Sequence, residues 1–310
     1  MPWALSLELP GLTLPQHEPV VRAAEAAGYT DAWTGETGGH DGFTSLALAA
    51  TWTERMRLGT GVVNVFTRGP AVLAQHASAL QDASGGRFVL GVGSSSNVIV
   101  ERWNGIPFEK PLTRVREAVE FLRGALAGER VGGGFKLEQL PPEPVPIVIA
   151  ALRGKMLQLA AEAGDGAFVN FTPLAGLPQV MAEADGAKEV LCRFFCLQGD
   201  PEQAMPMARM MFAAYATVPV YERFFRWLGY GDAIDPMVDA WRAKDRQKAV
   251  ELAPQELIED IFILGDADAQ KARLREYVDG GITCPVVLPL PVGDVPSPEV
   301  YVRLVESLAP

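Results

Sequence analysis

The sequence predicts an α/β protein folded as a parallel (β/α)8 TIM barrel, with a helical insertion after strand seven. Three observations lead there. Short apolar runs alternate with amphipathic stretches along the chain. Eight of those runs are strand-like. The 310 residues suit one such barrel. An open doubly wound sheet is the other arrangement this alternation permits, usually with fewer strands.

Residues 3–9 (WALSLEL) form the first predicted strand. Val20, Ala23, Ala24 and Ala27 follow at helical spacing over 15–27, and Gly28 marks the stop. The second strand is 29–36 (YTDAWTGE). The third is 58–64 (LGTGVVN), which leads through Arg68 and Pro70 into a helix over 71–83. The fourth spans 85–93, and its helix spans 113–127, with Val115, Ala118, Val119, Leu122 and Leu126 on one stripe. A proline-closed irregular segment then reads as a small hairpin extension. Strands five to seven are 147–151 (IVIAA), 166–171 (GAFVNF) and 189–198 (EVLCRFFCLQ). A long helical region over 201–277 reads as an insertion packed on the barrel. Strand eight is 285–291 (PVVLPLP), and a closing helix follows it. No composition shift marks a linker, so 1–310 is expected to be a single domain.

Composition narrows the function. Hydrophobic residues make up 48% and charged residues 21%, as in ordinary globular proteins. A net charge of −11 argues against a nucleic-acid partner, which needs clustered Lys and Arg. It leaves room for an anionic cofactor held by a local patch. No apolar run reaches membrane-spanning length. The opening MPWALSLELPG lacks a basic segment before its apolar run, so a cytoplasmic enzyme is expected. Cys192, Cys196 and Cys284 include no C-x-x-C, and they read as small buried hydrophobes. No metal-ligand pattern is present.

In such barrels the chemistry sits at the C-terminal ends of the strands. Glu36 ends strand two. It is either an acid, base or hydrogen-bond partner, or a salt-bridged loop residue. His40 lies in the glycine-flanked loop TGGHDG, either poised over a site or solvated. His76 falls on an apolar helix stripe and reads as a core histidine, and His17 as structural. Glu8 either lines the mouth or pairs with an arginine. After strand five, AALRGKM opens a helix, where free N–H groups and Arg153 and Lys155 suit a phosphate; a plain turn is the alternative. Ser94, Ser95 and Ser96 follow strand four in GVGSSSN, which lacks the third glycine of a dinucleotide fingerprint.

Taken together, AEAAGYTDAWTGE, LGTGVVNVFTRGPAVLAQ, SGGRFVLGVGSSSNVIVERWNGIPFEKP, PIVIAALRGKMLQLAAEAGDGAFVNF and GGITCPVVLPLP resemble the luciferase-like monooxygenase superfamily. More narrowly, they resemble its branch of coenzyme F420-dependent oxidoreductases. The resemblance spans nearly the whole chain. It implies a flavin or 5-deazaflavin at the barrel mouth: coenzyme F420, with FMN as the alternative. It also implies a small-molecule substrate and a homodimer.

The resemblance assigns roles as well. A cis peptide at Gly61–Val62 would back the ring, and Asn64 would meet its polar edge. Leu152, Arg153, Gly154 and Lys155 would meet the phosphate, and Ser94 to Ser96 would line the turn. Glu36 takes the place of the family's strand-two acid. Thr37 stands where the F420-dependent dehydrogenases with a catalytic Asp–His pair place the histidine, so His40 is the candidate replacement. Ser96 stands where sugar-phosphate dehydrogenases carry a glutamate, which argues against that substrate class. Three functions follow: hydride transfer with F420, oxygen chemistry with FMN, or cofactor binding without catalysis.

Overall fold

The computed structural model describes residues 2–310. The strands are β1 (Ala4–Ser6), β2 (Asp31–Thr34), β3 (Arg57–Thr60), β4 (Val63–Asn64) and β5 (Phe88–Gly93). They continue with β6 (Ile147–Ala150), β7 (Gly166–Asn170), β8 (Val190–Gln198), β9 (Ile263–Gly265) and β10 (Cys284–Pro291). Neighbours pair in parallel, in the order β10-β1-β2-β3-β5-β6-β7-β8, and β10 also pairs with β8. That last pairing closes the sheet into the eight-stranded barrel the sequence predicts. The predicted third strand is two pieces, because Gly61 and Val62 leave the ladder and β4 then rejoins β5.

Around the barrel run α1 (Leu14–Ala26), α2 (Gly42–Trp52), α3 (Pro70–Ala83), α4 (Pro111–Leu126), α5 (Lys155–Ala163) and α6 (Leu177–Glu183). After β8 come α7 (Pro201–Ala216), α8 (Pro219–Trp227), α9 (Gly231–Arg242), α10 (Arg246–Glu251) and α11 (Gln255–Ile261). Then follow β9, α12 (Ala267–Asp279), β10 and α13 (Pro298–Ser307). Local chemistry sets several starts. Asp41 caps α2 by accepting from the Phe43 and Thr44 N–H groups, and Thr13 with Gln16 forms a capping box at α1.

Three features depart from the sequence reading. The helix α2 was not expected, because GFTSLALAATW is apolar nearly all round and shows no stripe. The seven-residue α6 is too short to show a period. The region read as helical over 201–277 also contains β9, which extends the sheet beside the upper half of β8.

Strand alternation sorts the core into two layers. Ala4, Trp33, Val89, Val148, Phe168, Leu191, Cys284 and Val286 fill the barrel interior. Their strand neighbours Leu5, Ala32, Leu90, Ile147, Ile149, Val169, Cys192 and Val287 face the helices. All three cysteines are free and buried, and burial raises their thiol pKa values, so they serve as packing.

The interior also accounts for the glycines of LGTGVVN. A Cβ at Gly59 would lie 2.3 Å from the Trp33 ring, and one at Gly61 would lie 2.6 Å from the Phe168 ring. The two large rings fill the space that β3 leaves.

Candidate functional site

The C-terminal mouth gathers most of the predicted site residues on the ends of β2 to β6. The Gly61–Val62 peptide is cis. Val62 packs on the interior cluster beside Phe168, and the strand turns there into β4.

Asn64, on β4, is 5% exposed. Its Oδ1 accepts from the Phe66 N–H at 2.8 Å. A backbone N–H only donates, so the oxygen must face it and the amide orientation is fixed. The Nδ2 of Asn64 is then buried with no partner among the described residues. Burying an unpaired donor is costly, which marks the position as waiting for an acceptor.

Beyond β5, Ser94, Ser95 and Ser96 are half-buried, and Ser95 takes a left-handed backbone at φ 60°. A π-helical turn, Val98–Trp103, follows, a form that occurs often at functional sites. Beyond β6, Leu152 and Arg153 lead to Gly154, whose φ of 50° turns the chain into α5, with Lys155 exposed at its first position. Arg153 has no carboxylate partner, and its Nε is buried and unpaired among the described residues. Burial, and then the nearby charge of Arg223 on α8, lower its pKa. A part-buried guanidinium with an unpaired donor and a second positive charge nearby favours an anionic ligand.

Glu36 is held in place. Arg68 forms an ion pair with it, and its Oε1 accepts from the Gly42 N–H at 3.3 Å. The Arg68 guanidinium lies over Phe43, 5.2 Å from the ring centre, and His76 stacks on the same ring at 4.4 Å. Burial, then Arg68, lower the His76 pKa, partly offset by Asp41 and Glu36.

His40 is exposed, and its ring neighbour is His17 at 5.9 Å, edge-on. Burial, then the charge of His40, bring the His17 pKa down from 6.5 to about 4. The unfolded chain therefore binds more protons between those values. The stability linked to neutral His17 is complete above pH 6.5 and is lost as pH falls toward 4. The variant His17→Leu is expected to flatten that part of the acid limb in urea denaturation; an unchanged limb would refute this.

One mouth residue was missed from sequence. Arg193 points inward from β8, pairs with Glu8 and donates to the Gly61 carbonyl. Its only signal was a single charge inside an apolar strand. The Asn170 Oδ1 accepts from the Phe171 N–H at 3.0 Å, and its Nδ2 donates to the Tyr221 hydroxyl at 3.1 Å. That bond ties α8 to the end of β7, a contact between residues far apart in sequence.

Two solved structures share this fold. The coenzyme F420-dependent tetrahydromethanopterin reductase of Methanopyrus kandleri is 22% identical, with a TM-score of 0.77 over 98% of this chain and 97% of that one. The oxygenating constituent of 3,6-diketocamphane monooxygenase from Pseudomonas putida, solved with FMN, is 16% identical, with a TM-score of 0.67 over 100% and 96%. The fold is thus that of an α/β barrel, and the family and the relative that follow make the protein an enzyme of the oxidoreductase class. It belongs to the luciferase-like monooxygenase family, whose family model matches residues 6–284. A 5,10-methylenetetrahydromethanopterin reductase of Archaeoglobus fulgidus is 31% identical over 92% of both chains.

Among the described residues no helix is long and apolar enough to cross a membrane, and no group of His, Cys, Asp and Glu could hold a metal ion.

Proposed function

We propose that the protein is an F420-dependent oxidoreductase that moves a hydride between the deazaflavin and a small organic substrate. The observation that carries this is Asn64. Its buried, unpaired Nδ2 sits one residue beyond the Val63 that follows the Gly61–Val62 shelf, placed to meet a ring carbonyl. The second orphaned donor, the Nε of Arg153, suits the phosphate of the same ligand. The mouth therefore fits a ring with a polar edge and an anionic tail. The reductase names among similar proteins favour the deazaflavin over FMN.

When bound, a deazaflavin supplies a hydride from carbon and, lacking the flavin N5, does not activate oxygen. The chain's own residues do the rest by binding, orienting and excluding water. Val62 presses on the ring face and Asn64 fixes its edge. Ser94 to Ser96 line the turn beside it. Leu152 to Lys155 hold the phosphate. Arg68 and the Gly42 N–H fix Glu36 as a hydrogen-bonding group at the rim, and His40 is the exposed imidazole of the same loop. The proposal includes a single domain, working as a cytoplasmic homodimer.

A binding titration of F420 against FMN tests the reading. F420 is expected to bind at least tenfold more tightly, and turnover is expected to be the same with and without oxygen. Tight FMN binding with oxygen-dependent activity, and no response to F420, would transfer the protein to the monooxygenase chemistry.

A further inference from the structure

Arg193 is the least explained residue of the mouth. It sits in VLCRFFCLQ, where every other position but Gln198 packs as core, and is itself 7% exposed. The guanidinium offers five N–H donors. One Nη forms an ion pair with the Glu8 carboxylate on the β1 side, and the other donates to the Gly61 carbonyl at the end of β3. Nε is buried with no partner among the described residues. The guanidinium also lies over the Phe168 ring, 5.8 Å from its centre. Room for the Glu8 carboxylate comes from Gly35, where a Cβ would fall 2.4 Å from Glu8 Oε1.

As a plug, this arrangement is a poor choice. An apolar side chain of similar volume fills a buried position at equal or lower cost, without an orphaned N–H. What an apolar plug cannot do is tie three separate points of the rim together. From within β8, Arg193 links Glu8 just beyond β1 to Gly61 just beyond β3, where its contact is the carbonyl directly before Val62. Gly61 and Val62 lie outside the β3 and β4 ladders: the Gly61 N–H is held by the Thr34 carbonyl of β2, and the Gly61 carbonyl is held by Arg193.

We propose that Arg193 is a positioning residue for the cofactor seat. Tethered by Glu8, it holds the Gly61 carbonyl from across the barrel and so fixes Val62 against the ring. This rests on the functional reading above.

The test measures affinity for two probes: F420, and the deazaflavin nucleoside that lacks the phosphate and its tail. The variant Arg193→Lys keeps a cation for Glu8 but lacks the fork that reaches Gly61. The double variant Arg193→Met, Glu8→Gln removes both charges together and leaves no unpaired ion, so it covers the case in which the lysine does not fold. Arg57→Lys, at the opposite end of the barrel, is the structural comparison.

Both mouth variants are expected to bind nucleoside and F420 about tenfold more weakly, by the same factor for each probe. Arg57→Lys is expected to lower the melting temperature and leave both affinities within about twofold. Unchanged affinity in the mouth variants overturns the proposal, as does a loss confined to F420, which would place the effect at the phosphate. A wild-type chain that binds neither F420 nor FMN overturns the functional reading, and this inference with it.

Discussion

Replacing Arg57 by methionine is expected to cost about 3–5 kcal/mol of folding stability, the usual consequence of stranding a buried charge. Arg57 opens β3 at the N-terminal end of the barrel. It pairs with Asp31 on the adjacent strand and crosses beneath the barrel to Glu189, which it grips with both Nη atoms at 3.1 and 2.9 Å. The Asp31 side chain is only 3% exposed. Burial works against the guanidinium's charge, but Asp31 and Glu189 outweigh it and hold its pKa above the ordinary arginine value. Methionine would fill the volume and leave two carboxylates facing a low-dielectric floor. The melting temperature is expected to fall by about 5–8 °C. Adding Asp31→Leu and Glu189→Met is expected to recover most of the loss, because an apolar replacement of a complete ion group is often neutral. A single-variant loss below about 1 kcal/mol would show that water or rearrangement supplies the missing partner.

Arg57 also shows where the sequence is readable and where it is not. Strand alternation and helix stripes are local patterns, and through them the eight-stranded barrel was legible before any coordinates. The pairing of residue 57 with residue 189, and of 193 with 8 and 61, depends on barrel closure, which no local window contains. Glu36 illustrates the same limit. Its place at the end of β2 was readable, but its capture by Arg68 was not.

The glycines of LGTGVVN are a third instance. The cis Gly61–Val62 peptide agrees with what the family resemblance implied. The direct steric reason for the glycines lies elsewhere, in Trp33 and Phe168 on other strands. Only packing shows what occupies the space beside these glycines. For α2 the failure ran the other way, since its outward stripe of Thr44, Ala47, Leu48, Thr51 and Trp52 is nearly as apolar as its buried face and gives no period.

At Asn64 stability and function are expected to move in opposite directions. Serine at this position retains an oxygen able to accept from the Phe66 N–H, so the turn after β4 is kept. It removes the Nδ2 that is buried without a partner. In the ligand-free protein that removal relieves an unpaired polar group, so Asn64→Ser is expected to stay within about 1 kcal/mol of wild type and need not destabilise at all. In the complex it deletes a donor to the ring's polar edge, and cofactor affinity is expected to fall about tenfold.

A purely structural asparagine would give the reverse pattern, with lost stability and unchanged affinity. Urea denaturation of the ligand-free variant and a fluorescence titration with F420 separate the two. The stability measurement does not depend on which cofactor is correct, while the titration repeated with FMN shows whether the donor serves either ring. If affinity for both is unchanged, Asn64 is not at the ring edge, and the placement of the cofactor beside β4 must be given up.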